Sequence, residues 1–327
     1  MLGNKISRRQ MLKSSGFALA GSLFSTVMGC SSGGRTEKEK LPVKRPFRIG
    51  MNASTISAYS LSVPEQIELC SEAGFDGVEL WIRDVDAFVK QGGKHDELRG
   101  LLDQTGILLE NMISFSTWCA DDPGKREEGL RQIRHDMEIV SSLGGHYIAA
   151  PVQGVNKFDY ACLPDYMNRY RTILDLGDEY GVTPILELWG AGPVCRLADA
   201  VAIAIGTSHP KASLLLDFYH LFRGGNSFDG LRLVGGDSLP IFHINDYPAS
   251  PPRENLKDSD RVFPGDGICP FDQALSFLYT TGFRGCLSVE LFNKNYWATM
   301  DVKTLLKVSY EKTTQVIDHF LEERSLL

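Results

Sequence analysis

The sequence predicts an α/β chain folded as a single (β/α)8 TIM barrel, and three observations carry that expectation. From Phe47 onward, eight short apolar, β-rich runs alternate with amphipathic stretches of helical period. Near-continuous apolar strands of this kind belong in a parallel sheet covered by helices. Glycines stand where those helices should end, at Gly74, Gly106, Gly144, Gly181 and Gly282, as helix C-caps do. Residues 47–327 are also about the size of one barrel, roughly 250 residues before insertions. A doubly wound open sheet is the rival, but no strand run leads into a GxGxxG turn. No repeat of 20–50 residues exists beyond the βα alternation itself.

The strand runs in order are FRIGMNAS, DGVELW, ILLENMIS, YIAAPV, TPILELW, SLLLDFYH, PIFHIND and CLSVELF. Each is too short to be a helix and rich in β-branched or aromatic residues. Between them, VPEQIELCSEAG, KHDELRGLLDQTG, REEGLRQIRHDMEIVSSLGG and LPDYMNRYRTILDLGDEYG place apolar residues at helical spacing. The expected count is eight strands and eight helices.

Residues 1–29 read differently. Lys5, Arg8, Arg9 and Lys13 precede a short apolar run, GFALAGSLFSTVM, and then GC. A positive front followed by an apolar stretch too short to span a bilayer is a targeting segment rather than part of the fold. Residues 30–46, beginning CSSGGRTEKEK, are small, charged and Pro-bearing, and read as a flexible tether. Removing the first 29 residues takes away four of the 34 basic residues and none of the 41 acidic ones, leaving a net charge of −11. An acidic domain without a basic stripe is a poor partner for nucleic acid. The six cysteines other than Cys30 are scattered without a CxxC pair, so they read as buried free thiols. A homo-oligomer stays open.

In a barrel, chemistry sits where strands end and βα loops begin. The last four strand runs each place a metal-competent side chain there: Glu187, Asp217, His243 and Glu290, spaced 30, 26 and 47 residues apart. A buried carboxylate costs several kcal/mol unless paired. Three carboxylates and one imidazole on one rim would repel one another without a cation. One divalent ion is therefore expected, with Mn²⁺ preferred for this oxygen-rich set and Co²⁺, Mg²⁺ or Zn²⁺ as alternatives. Glu79, ending the second strand run, binds a substrate hydroxyl or forms a structural ion pair. Trp118, Trp189 and Trp297 form an apolar wall for a sugar ring or pack the core. His146 opens the fourth strand at the wrong end for catalysis. His95, His135 and His209 fall on helices and are read as solvated. FPGDG, residues 263–267, is a turn or a place where backbone approaches a ligand closely.

LLLDFYH, FHIND, DRVFPGDG and SVELFNKNYW together resemble the xylose-isomerase-like sugar isomerase/epimerase barrels, and among these the inosose isomerases first, then the ketose 3-epimerases and hydroxypyruvate isomerase. The likeness is strong from about Thr183 to Phe320 and architectural before that. It implies a metal set on Glu187, Asp217, His243 and Glu290, a substrate-contacting His220, and a substrate-contacting Arg261. It implies an isomerase or epimerase of a ketose or inosose, with Glu187 and Glu290 moving a carbon-bound proton. The twin arginines in SRRQMLK resemble a twin-arginine export signal, and VMGC resembles a lipobox with lipidation at Cys30. Together they imply an exported protein, anchored by lipid at the periplasmic face of a bacterial membrane. That location makes a 3-keto-glycoside lyase or hydratase the second reading. A non-catalytic sugar-binding lipoprotein is the third, and the nuclease branch lacks its His-rich site and basic face here.

Overall fold

The computed structural model describes residues 45–325. The predicted signal, lipobox Cys30 and nearly all of the tether lie outside them. Arg45, at the tether's predicted end, already belongs to the domain, because its guanidinium pairs with Asp318 at 3.0 Å.

The chain runs β1 (Arg48–Asn52), α1 (Val63–Glu72), β2 (Gly77–Trp81), α2 (Ile82–Lys90), α3 (His95–Thr105), β3 (Leu108–Ile113), α4 (Pro123–Ser142), β4 (Tyr147–Pro151), α5 (Leu163–Tyr180) and β5 (Thr183–Glu187). It continues through α6 (Leu197–Gly206), β6 (Leu214–Asp217), α7 (Phe218–Arg223), β7 (Ile241–Ile244), α8 (Phe271–Thr280), β8 (Cys286–Val289), α9 (Lys294–Thr299) and α10 (Val302–Ser325). The eight strands close into one barrel in sequence order, all pairs parallel. The five glycines expected to end helices all adopt positive φ, from +69° at Gly181 to +94° at Gly282. The helix count differs from expectation: among the described residues there are ten α-helices, because the units after β2 and β8 each carry two.

Alternation along the strands sorts the core. One parity faces the helices: Ile49, Met51, Val78, Leu80, Leu186, Leu216, Phe242, Leu287 and Val289 are all buried there. The other parity fills the barrel with a separate apolar layer of Ala149, Ile185, Leu215, Ile241 and Cys286. Two residues beyond Ile185, Leu215 and Ile241 come Glu187, Asp217 and His243, and four beyond Cys286 comes Glu290. The same pleat that buries the apolar layer therefore aims the polar residues inward, one step closer to the C-terminal rim.

The SLLLDFYH run does not stay extended to His220. The strand stops at Asp217, whose side chain caps α7 by accepting the His220 N–H at 2.8 Å. An aspartate at this position favours helix initiation over a longer strand, and it places His220 on the first turn of a helix.

Candidate active site

The inward residues at the C-terminal ends of β6, β7 and β8 meet. Ligand-type atoms of Asp217, His243 and Glu290 all lie within 4.8 Å of one another. His243 Nδ1 is 3.2 Å from Glu290 Oε2 and 3.7 Å from Asp217 Oδ2, yet is buried and makes no hydrogen bond of acceptable geometry. The opposite nitrogen, Nε2, lies 3.2 Å from the Glu79 carboxylate. Glu79 in turn accepts from Asn111 Nδ2 at 2.7 Å and Asn52 Nδ2 at 3.4 Å. With Nε2 held by Glu79, the ring turns Nδ1 towards the two carboxylates. Two carboxylate oxygens and one orphaned imidazole nitrogen fit a divalent ion.

Glu79 is completely buried behind His243. Its carboxylate is placed to orient the imidazole. Trp118 leaves the candidate list: it is buried against Tyr170, and its indole N–H donates to the Pro151 carbonyl at 2.9 Å. Trp297 donates to the Thr55 carbonyl at 2.8 Å, and of the three tryptophans only Trp189 lines the rim cavity. His209, expected to be solvated, has a side chain only 5 % exposed and lies 3.3 Å from Asp178.

Two of these acids, Asp217 and Glu290, have a cation supplied by the protein itself. Arg261 is 1 % exposed, and its Nη1 donates to Glu290 Oε2 at 2.7 Å and Asp217 Oδ2 at 3.0 Å. Its Nη2 donates to Asp258 at 2.7 Å and lies 3.1 Å from His220 Nε2. The rings of Tyr219 and Phe292 flank the guanidinium, with centroids 4.5 and 5.1 Å away. Asp246 fixes the loop that delivers Arg261. It pairs with Val262 through two backbone bonds and accepts the N–H groups of Gly265, Gly267 and Cys269. A Cβ on Gly267 would fall 2.3 Å from Asp246 Oδ1, so FPGDG is glycine-rich to wrap a carboxylate and not to approach a ligand. Asp246 was not singled out from the sequence, although it stands three residues after His243 in the same strand run. Asn245 Nδ2 donates to Asp217 Oδ2 at 2.9 Å and completes that carboxylate's shell.

Above this cluster opens a cavity of about 330 Å³. Glu187, His220, Arg261 and Glu290 supply its polar floor, and Trp81, Ile113, Phe115, Trp189 and Phe292 its apolar sides. A larger hollow, about 430 Å³, lies on the outside between α4 and α5, lined largely by charged side chains such as Arg131 and Glu179 that converge on nothing. Glu187 is not part of the tight triplet, but burial, followed by the charges of Glu290 and Glu79, pushes its pKa up to about 8 against the pull of His243. For Glu290, burial would do the same, yet the charges of His243 and Arg261 win and hold it below the usual carboxylate range. Burial and then Arg261 push His220 down to about 3, so it is neutral. His243 moves the other way, because Glu290 and Glu79 outweigh its burial. The cavity thus presents one proton-bearing glutamate and one ionised glutamate.

Comparison with known proteins places residues 67–312 in the family described as xylose isomerase-like TIM barrel. An inosose isomerase of Bacillus velezensis is 28 % identical over 271 residues, 80 % of this chain and 95 % of that protein. A 3-dehydroshikimate dehydratase of Pseudomonas putida is 25 % identical over 252 residues, covering 75 % of this chain and 38 % of that protein. A crystal structure of the IolI protein with a bound zinc atom superposes with a TM-score of 0.78, covering 84 % of this chain and 99 % of that one at 23 % identity.

The raised pKa of Glu187 has a consequence for stability. In metal-free protein the folded chain keeps a proton that the unfolded chain, with a carboxylate near 4.5, has released. Stability therefore falls as pH rises from about 4.5 to about 8. Glu187→Gln removes this dependence and should be the more stable form at pH 8, by an amount on the order of a few kcal/mol. Urea unfolding of chelator-treated proteins at pH 5 and pH 8 measures it; parallel pH slopes would contradict the buried, protonated assignment.

Proposed function

The chain belongs to the xylose isomerase-like TIM barrel family, and from that premise we propose that it is a metal-dependent isomerase or epimerase of a ketose or inosose. The observation that carries this reading is geometric: two glutamates, Glu187 and Glu290, line one cavity beside the cluster of Asp217, His243 and Glu290. The relatives named as inosose isomerases support the class of chemistry.

Asp217, His243 and Glu290, with Glu187 as fourth candidate, would hold one divalent ion, of which Mn²⁺ is preferred and Co²⁺, Mg²⁺ and Zn²⁺ remain alternatives. Such an ion polarises a substrate carbonyl and lowers the cost of negative charge on its oxygen. The side chains do the rest. Glu290 would accept the proton from the carbon next to the carbonyl, and Glu187 would deliver one to the neighbouring carbon or to the opposite face. The first outcome is isomerisation and the second is epimerisation. His220, held neutral and hydrogen-bonded to Arg261, can meet a substrate hydroxyl with its unpartnered Nδ1. Arg261 faces the oxygen that gains charge while also neutralising two of the carboxylates.

A second reading is favoured by the dehydratase relatives. The same carbanion expels a substituent β to the carbonyl, which would make the chain a 3-keto-glycoside lyase or hydratase. A sugar-binding lipoprotein without turnover fits less well, since binding requires no pair of glutamates tuned in opposite directions.

Turnover of a panel of ketoses, inososes and 3-keto-glycosides by the Mn²⁺-loaded protein in D₂O tests these readings. Deuterium should enter product carbon, and Glu290→Gln and Glu187→Gln should each lower kcat/KM by about 10²-fold or more. Product free of solvent deuterium, with both variants active, would eliminate the two-glutamate scheme.

We further propose that export removes residues 1–29 and leaves Cys30 lipidated, on the strength of the basic front and the VMGC segment. The mass of protein isolated from a membrane fraction should correspond to a lipidated chain beginning at Cys30. A chain retaining Met1 would refute this.

A further inference from the structure

A second cavity, of about 250 Å³, borders the first on the barrel rim. Trp81, Ile113 and Phe115 line both. The other side of the second cavity is polar, with Arg83, Asp86, Gln132 and Asp136 facing it. The proposed proton transfer uses none of these four.

Two features mark this space as built for a ligand. Phe115 is 44 % exposed, and its ring lies 5.0 Å from Trp81 and 6.0 Å from Trp189, so three aromatic rings run in series from one cavity to the other. The rings are tilted to one another and Arg83 covers Trp81, so Phe115 and Trp189 are the ones that offer apolar faces to the C–H faces of saturated rings. The polar groups opposite are already oriented. The Arg83 guanidinium lies over Trp81, 3.6 Å from the ring centroid. Asp136 is almost fully buried at the cavity's edge, held by Ser114 Oγ at 2.5 Å and Gln132 Nε2 at 2.6 Å. Asp86, 3.1 Å from His135 Nε2, adds a second carboxylate. Fixed carboxylates, an amide and a guanidinium beside an aromatic face suit the hydroxyl edge of a carbohydrate ring.

We propose that the cavity formed by Arg83, Asp86, Gln132 and Asp136 is a subsite for a second hydroxylated ring, covalently linked to the ring that reacts next to Glu187 and Glu290. The substrates are then glycosides or disaccharide-sized molecules rather than free single rings. This rests on the sugar reading above and narrows it to a substrate class.

Calorimetric binding to the full Mn²⁺-loaded chain tests the proposal without turnover. The probes are glucose and a set of α- and β-linked glucose disaccharides. At least one disaccharide should bind about tenfold tighter than glucose, the scale of one added aromatic contact. Arg83→Ala and Gln132→Ala should each remove most of that advantage, with glucose affinity and Mn²⁺ stoichiometry unchanged. Both positions are exposed on helices, so the variants should fold. Disaccharides binding no better than glucose, no binding by any probe, or an advantage that survives both substitutions would overturn the subsite. Loss of the isomerase reading in the D₂O experiment, with the disaccharide advantage intact, would leave the subsite standing, so the two failures are distinguishable.

Discussion

The organisation of this rim depends on one buried guanidinium. Placing Asp217 and Glu290 inside a closed barrel is unfavourable unless a cation accompanies them, and Arg261 is that cation, bonded to both. Removing one partner from such a buried pair typically costs about 3–5 kcal/mol, because the remaining charge has nowhere to go. The surroundings follow from the need to hold Arg261 in place. Asp246 gathers the backbone of the 262–269 loop, Tyr219 and Phe292 cover the guanidinium, and His220 and Asp258 take its outer nitrogen.

A divalent ion at His243 Nδ1 would share with Arg261 the two carboxylate oxygens nearest that nitrogen, Glu290 Oε2 and Asp217 Oδ2. Arg261 uses Glu290 Oε2 and Asp217 Oδ2, while the α7 cap uses Asp217 Oδ1. His243 reaches the same carboxylates with an unpartnered nitrogen and is anchored from behind by Glu79. A permanent monovalent cation lets the carboxylates stay buried during folding, and the imidazole supplies the nitrogen that a metal prefers over a guanidinium's fixed proton donors. The same local field separates Glu187 from Glu290, since Arg261 and His243 together stabilise charge on the latter, while at the former the pull of His243 does not offset burial.

Much of this was legible in the sequence because strand parity is a local property. Once LLLD, IFHI and CLSVE are strands, two-residue alternation puts Asp217, His243 and Glu290 on the inner face. The glycine C-caps are equally local, which is why all five take positive φ. What escaped was non-local. Arg261 lies 44 residues from Asp217 and 29 from Glu290, and no spacing rule reveals that they bond. Glu79 reaches His243 across 164 residues of sequence, so spacing alone leaves a strand-end acid between substrate ligand and structural partner. The FPGDG glycines suggested a ligand approach when the object approached was Asp246. Trp118 and Trp189 are indistinguishable as residue types, and only packing sends one to the core and the other to the cavity. Asp136 sits within an ordinary amphipathic helix pattern, so nothing in the chain points to its burial beside Phe115.

The central claim is that His243 Nδ1, Asp217 and Glu290 form a metal site in which Arg261 is the resident counter-charge. Anomalous diffraction from crystals soaked in Mn²⁺ addresses it most directly. The account predicts one peak per chain, bonded to His243 Nδ1 and to the carboxylates of Asp217 and Glu290, and absent from Asp217→Ala crystals. A peak elsewhere, coordination through Nε2 instead, or no peak at saturating Mn²⁺ would contradict it.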